Sequence, residues 1–170
     1  MTGSAEFRAL AARPVTELEA CMRRGQAPDV QQLVSHEFRG ANTAAWAERL
    51  RMRQFVKGFE RRLDGRLFGY NRRVAQDGTW ASPGKRFAFF EVRTVDAAAR
   101  DNHYLQALLL DYGAGVGPLL DPARRIRDYL VRADPDSDAL LLGRAFVAIG
   151  PFRLSPTYFV LEPVPQDEGS

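Results

Sequence analysis

The alternation of apolar and polar positions divides the chain into a short helical part and a long strand-rich part. Ala5 to Ala12 is rich in Ala, Leu and Arg, and Pro14 sits where a second helix can begin. Leu18, Cys21 and Met22 share one helical face, Thr16 and Glu19 have capping-box spacing, and Gly25 is placed as a C-terminal stop. After the connector Ala27-Pro28-Asp29 the period changes to two. Leu33 to Gly40 alternates as a strand, Asn42-Thr43 opens a short helix near 43–53, and a strand follows from about Phe55.

Turn signals then recur at Asp64-Gly65, Asp77-Gly78 and Pro83-Gly84. Arg66–Val74 and Lys85–Val95 alternate between them, and Tyr104–Tyr112 is a nearly continuous apolar strand ended by Gly113, Gly115 and Gly117. Asp121-Pro122 is a helix start, and Ile126, Tyr129, Leu130 and Ala133 keep helical spacing, which predicts one short helix near 122–133. Leu140–Ile149 and Thr157–Pro163 are two more strands. Seven or eight strands with hairpin-type turns argue against alternating βαβ units. They predict a mainly β (α+β) fold: a closed or nearly closed antiparallel barrel, which removes exposed edges and encloses space for one small ligand. The expected organisation is an N-terminal helical extension over 1–28, the barrel over 29–165, and a disordered tail over 166–170.

Glu37-Phe38-Arg39-Gly40-Ala41-Asn42 has the form of a degenerate G-x-W-x-G opening strand, with Phe38 where that pattern has Trp. Arg127–Leu130, Asp138–Gly143 and Tyr158–Glu162 are similar to its closing part. Over about 33–162 the chain thus resembles small lipocalin-like (calycin-type) barrel proteins of bacteria. The resemblance implies a lipocalin-like barrel that holds an apolar small molecule or lipid, and it supplies no catalytic set.

Composition narrows the chemistry. The 170 residues suit one domain, and the lone Cys21 excludes an intramolecular disulfide framework and cysteine-based zinc sites. No apolar run approaches the roughly 20 residues of a membrane helix, and the N-terminus lacks a secretory pattern, so a cytoplasmic protein is expected. All but Lys57 and Lys85 of the 24 basic residues are Arg. The net charge of +3 hides an asymmetry: residues 49–73 carry nine basic residues against Glu60 and Asp64.

No G-x-S-x-G is present, and Ser35 and His36 alternate on a strand, which separates them. Gly113 to Gly117 lacks the spacing of a dinucleotide fingerprint and reads as a connecting loop. His36 and His103 are far apart in the chain and set no metal spacing; either is an axial candidate for haem, as the resemblance allows, and no other cofactor is expected. Glu91 and Asp111 lie within apolar strands and are the candidates for a buried general base of an isomerase or cyclase. Phe68, Tyr70, Phe87, Phe89, Tyr112, Phe146 and Tyr158 fall on strands and are the expected barrel lining. Arg53, Lys57 and Arg72 are the expected anion-binding residues at its mouth. The favoured reading is non-enzymatic binding of an apolar or amphipathic molecule such as a fatty acid. Its anionic head group, or a membrane surface, would meet the arginines. The alternatives are the carboxylate enzyme and an anion, RNA or protein interaction module built on 49–73, with nucleic acid disfavoured.

Overall fold

A computed structural model describes residues 3–77, 79–80, 84–116, 118 and 120–164. Eight antiparallel strands form a closed barrel: β1 (Glu37–Asn42), β2 (Gln54–Arg61), β3 (Leu67–Arg73), β4 (Arg86–Thr94), β5 (Leu108–Asp111), β6 (Ile126–Asp134), β7 (Ser137–Ile149) and β8 (Phe152–Pro163). Each strand pairs with its sequence neighbours, and β8 returns to pair with β1. This mainly β barrel with added helices is the predicted fold class, and it is compatible with the calycin-type architecture that the opening strand suggested. The tail at 166–170 lies outside the described residues.

Among the described residues, four short α-helices accompany the barrel. In α1 (Ala5–Ala11), Ser4 Oγ accepts a hydrogen bond from the Phe7 amide at 2.9 Å, satisfying one of the donors that a helix start leaves open. α2 (Val15–Arg24) begins after Pro14 and has no side-chain cap, so Glu19 is not part of a capping box. These two helices lie against the outside of β6, β7 and β8. Phe7, Leu10, Leu18 and Met22 pack there with Tyr129, Val131, Leu142 and Val160. The N-terminal segment is therefore the outer half of one of the two cores.

α3 (Val30–Leu33) occupies the start of the predicted Leu33–Gly40 strand, because Asp29 Oδ1 accepts from the Gln31 amide and caps a helical turn. Ser35 then reverses the chain with a φ of 64°. Leu33 packs with the barrel-interior cluster, closing one end of the barrel. α4 (Ala45–Arg49) is shorter than expected; Arg51, at a φ of 54°, ends it.

The helix predicted near 122–133 is a difference. Asp121 does cap a turn, but only a 3-10 segment, Pro122–Arg125, follows before β6 begins. Ile126, Asp128 and Leu130 pair on the inward side of β6, while Tyr129 and Val131 face α2 and the outer core. Because both faces of β6 are covered, both carry apolar residues and the period of two disappears from the sequence.

Inside the barrel, three glycines stand directly opposite aromatic residues: Gly40 and Phe55, Gly69 and Phe90, Gly143 and Phe159. A β-carbon on any of the three would run into the facing ring. Without side chains, these strand positions let the rings lie flat across the neighbouring strand. Gly143→Val is expected to destabilise the fold by about 1–3 kcal/mol through overpacking. Urea denaturation measures this, and an unchanged midpoint would contradict the packing described.

Candidate functional site

The strand register places Phe55, Lys57 and Phe59 on the inward side of β2. Lys57 is only 1% exposed. Its Nζ donates to Tyr112 Oη at 2.7 Å and to Asp128 Oδ2 at 3.1 Å. Tyr112 Oη in turn donates to Asp128 Oδ2 at 2.9 Å and accepts from Asn71 Nδ2 at 3.1 Å. Nζ also lies 4.7 Å from the ring centroid of Phe90, 5.0 Å from Phe159, 5.3 Å from Tyr112 and 5.7 Å from Phe55. A cation thus sits within four aromatic rings, three of them the rings held over glycines. Attraction of a desolvated cation to ring faces offsets part of the cost of its burial.

The fourth member is held by a backbone irregularity. The β3–β4 register shifts between Gly69 and Asn71, and Ala88 opposite it has a φ of 47°. This bulge turns the Ala88 carbonyl to accept from Asn71 Nδ2 at 3.1 Å. Asn71 is thereby fixed with its other N–H on Tyr112.

Burial pushes the Lys57 amine below its usual range, opposed by the charge and hydrogen bond of Asp128. Burial first, and then the Asp128 charge, push the Tyr112 hydroxyl well above its usual value, so it stays protonated and donates. One polar atom is left over: Asp128 Oδ1 is buried and makes no hydrogen bond. Such an atom carries a desolvation cost that an incoming N–H or O–H would remove.

A second polar cluster lies outside the barrel. Glu19 on α2 accepts from Tyr158 Oη at 2.7 Å, Tyr104 Oη at 2.8 Å and Arg144 Nη1 at 2.5 Å, and pairs with Arg23 at 2.7 Å. Burial works against the charge on Glu19. The bonds from Tyr158 and Tyr104 and the charges of Arg144 and Arg23 outweigh it and hold the carboxyl below its ordinary value. His103 stacks on Phe146 at 4.8 Å beside this cluster. The cluster docks α2 onto β7 and β8.

Of the expected lining, Tyr112 points inward. Phe68 and Tyr70 are on the outer face, under Arg62, Arg66 and Arg86. Phe89 is exposed there too, whereas Phe87, which the bulge sets opposite the inward Asn71, stands partly exposed at the barrel rim beside Arg73. Phe146 and Tyr158 belong to the outer core beneath α2. Glu91 lies 3.9 Å from Arg66, and Asp111 pairs with Arg93 and Arg127; both carboxylates are on the outer face. Among the expected anion ligands, Arg53 pairs with Glu48 and Arg72 with Glu37, while Lys57 is inside the barrel. His36 lines a 130 Å³ cleft at the α3 end, whereas His103 packs on Tyr129 and Phe146 of the outer core. A larger cleft of 340 Å³ lies over Phe68, Tyr70 and Phe89 on the outer face. Cys21 is buried with its thiol 3.7 Å from the Ala133 carbonyl.

Sequence reasoning missed Asn71 and Asp128 and misplaced the role of Lys57. A signal was present in Phe55-Val56-Lys57-Gly58-Phe59, where the lysine shares the alternation of two phenylalanines. Comparison with family models, curated proteins and solved structures finds no match.

Lys57→Met is expected to cost about 3–5 kcal/mol, because it leaves Asp128 charged and buried. The double variant Lys57→Met/Asp128→Leu is expected to regain that loss or exceed the parent by about 1–4 kcal/mol. Denaturant midpoints of the three proteins decide this. Glu19 gives a pH effect of known sign. With its folded value lowered, its contribution is complete above its unfolded value and is lost as pH falls through the folded one. Thermal melting below about pH 4 should therefore fall more steeply in the parent than in Glu19→Gln. Parallel curves would show that the cluster does not anchor α2.

Proposed function

We propose that the protein binds an amphipathic small molecule whose polar end meets Lys57 and Asp128. The reading rests chiefly on the buried, unpartnered Asp128 Oδ1 beside an ammonium in an aromatic cage. A buried ion pair is weak support for stability alone, and ionisable groups with shifted titration inside a fold are functional candidates. The complementary head group carries an acceptor for Lys57 and a donor for Asp128 Oδ1. A hydroxyl or a protonated carboxyl supplies both, as in a fatty alcohol or a fatty acid.

The direction of entry follows from the register. α3 closes one end of the barrel. Tyr112 follows the last residue of β5 and Asp128 is near the first of β6, so the charged centre lies toward the opposite end. There Phe55, Ala123, Ile126 and Ala145 are half-buried and pack against the interior cluster as an apolar collar. The molecule's chain would lie against this collar, with the exposed Arg73 and Arg125 at the same end.

Displacement of a fluorescent fatty acid by a long-chain alcohol tests the reading. The parent should bind the alcohol at least about tenfold more tightly than its methyl ether, which has no donor for Asp128. Lys57→Met/Asp128→Leu should fold and lose this preference. Equal binding of both ligands by the parent, or an unchanged preference in the double variant, would overturn the reading.

A further inference from the structure

We propose that the barrel end carrying α4, Leu120 with the 3-10 turn that follows it, and the β7–β8 hairpin docks onto an anionic phospholipid membrane. The surface is the rim of the barrel end toward which the Lys57 centre lies, and its docking does not depend on a ligand at that centre. It starts from the hairpin, which extends past the strands that close the barrel: β1 pairs with β8 only at 159–163, whereas β7 and β8 stay paired out to Ile149 and Phe152. In this extension Ile149 stands opposite Phe152 and Val147 opposite Leu154, so all four share one face. Val147 also pairs with Ile126, an inward-facing residue, so that face continues the barrel's interior side beyond its rim. Arg153 is on the other face and fixes the arm through Asp101, at 2.5 Å.

The arm should bury these side chains, yet Phe152 is 68% exposed, Leu154 59% and Ile149 48%. Two other segments at the same end do likewise. Leu50 and Met52 at the end of α4 are 62% and 49% exposed, and Leu120 before the 3-10 turn is 95% exposed. α4 is tied next to the arm, since the Thr43 amide donates to the Tyr158 carbonyl at 2.9 Å. The 3-10 turn Pro122–Arg125 packs on β7 from the other side. Single exposed apolar residues are ordinary, but a concentration at one end marks an interaction site.

Charge selects the partner. Arg49, Arg51 and Arg125 are exposed on the same segments and have no carboxylate partner among the described residues. A second copy meeting this end would bring arginines against arginines, which opposes self-association. A membrane with anionic head groups accepts both features: the apolar tips enter the interface and the guanidiniums meet phosphates. The tips come from three separate segments, a shape suited to insertion among lipids.

Sedimentation with vesicles of two parts phosphatidylcholine to one part phosphatidylglycerol tests the proposal. The full chain should bind these vesicles and bind pure phosphatidylcholine at least about fivefold more weakly for each arginine engaged. Raising salt from about 0.1 M to about 1 M, which shortens screening from roughly 10 Å to roughly 3 Å, should weaken binding. Phe152→Asp and Leu50→Asp should each reduce binding about tenfold, with circular dichroism confirming an intact fold. Arg49→Gln/Arg51→Gln, remote from the core, should reduce binding only on the anionic vesicles. Three results would overturn the proposal: no binding to anionic vesicles, binding unaffected by the two Asp variants, or a dimer in sedimentation velocity that Phe152→Asp dissociates.

Discussion

The Lys57–Asp128 pair constrains nearly everything around it. An ammonium removed from water needs every N–H directed at an acceptor or a π-face. Tyr112 and Asp128 meet that need on one side, and Phe55, Phe90 and Phe159 on the other. Those three rings hold their places only because Gly40, Gly69 and Gly143 lie opposite them. The bulge at Ala88 belongs to the same arrangement, since it supplies the carbonyl that orients Asn71. A left-handed alanine in a strand carries a cost of order 1 kcal/mol. Its position beside the charged centre accounts for it.

The outer face follows a different rule. Along the chain, 49–73 is strongly basic, but folding brings acids from elsewhere to meet it: Glu37 pairs with Arg72, Glu48 with Arg53, and Glu91 lies 3.9 Å from Arg66. Other arginines spread over ring faces, as Arg86 does on Tyr70 at 3.9 Å. The segment does not form a single cationic face. Uncompensated positive charge is found at the rim that carries α4 and the 3-10 turn.

What could be read from the chain follows the physics of each part. Hairpin turns disclosed the barrel, and β4 alternates plainly because it has one covered and one wet face. β6 was hidden by its two covered faces, and Asp128 was hidden with it. The lining residues were misassigned for a related reason. Phe68, Tyr70 and Phe89 are aromatic, and strands commonly turn such residues to a core, yet here arginines flatten over Phe68 and Tyr70 outside. Which face of a strand points inward depends on its partners' register, and no local pattern contains that. Tyr112 points inward as expected; it ends a run that is apolar but for Gln106 and Asp111. Glu19 had the spacing of a cap, but the tyrosines that it binds lie more than eighty residues away.

The seam between β1 and β8 has a consequence for folding. Every other ladder joins sequence neighbours, so each can form as a local hairpin at small loop-closure cost. The seam alone joins the two ends of the barrel sequence, and it is clasped by Glu162, which accepts from the Ser4 amide at 3.1 Å and lies 4.0 Å from Arg39. Until that clasp closes, the intermediate is an open, curved sheet with two unpaired edges. Those edges are where one copy could pair with another, so the first helix also guards the chain against strand exchange during folding.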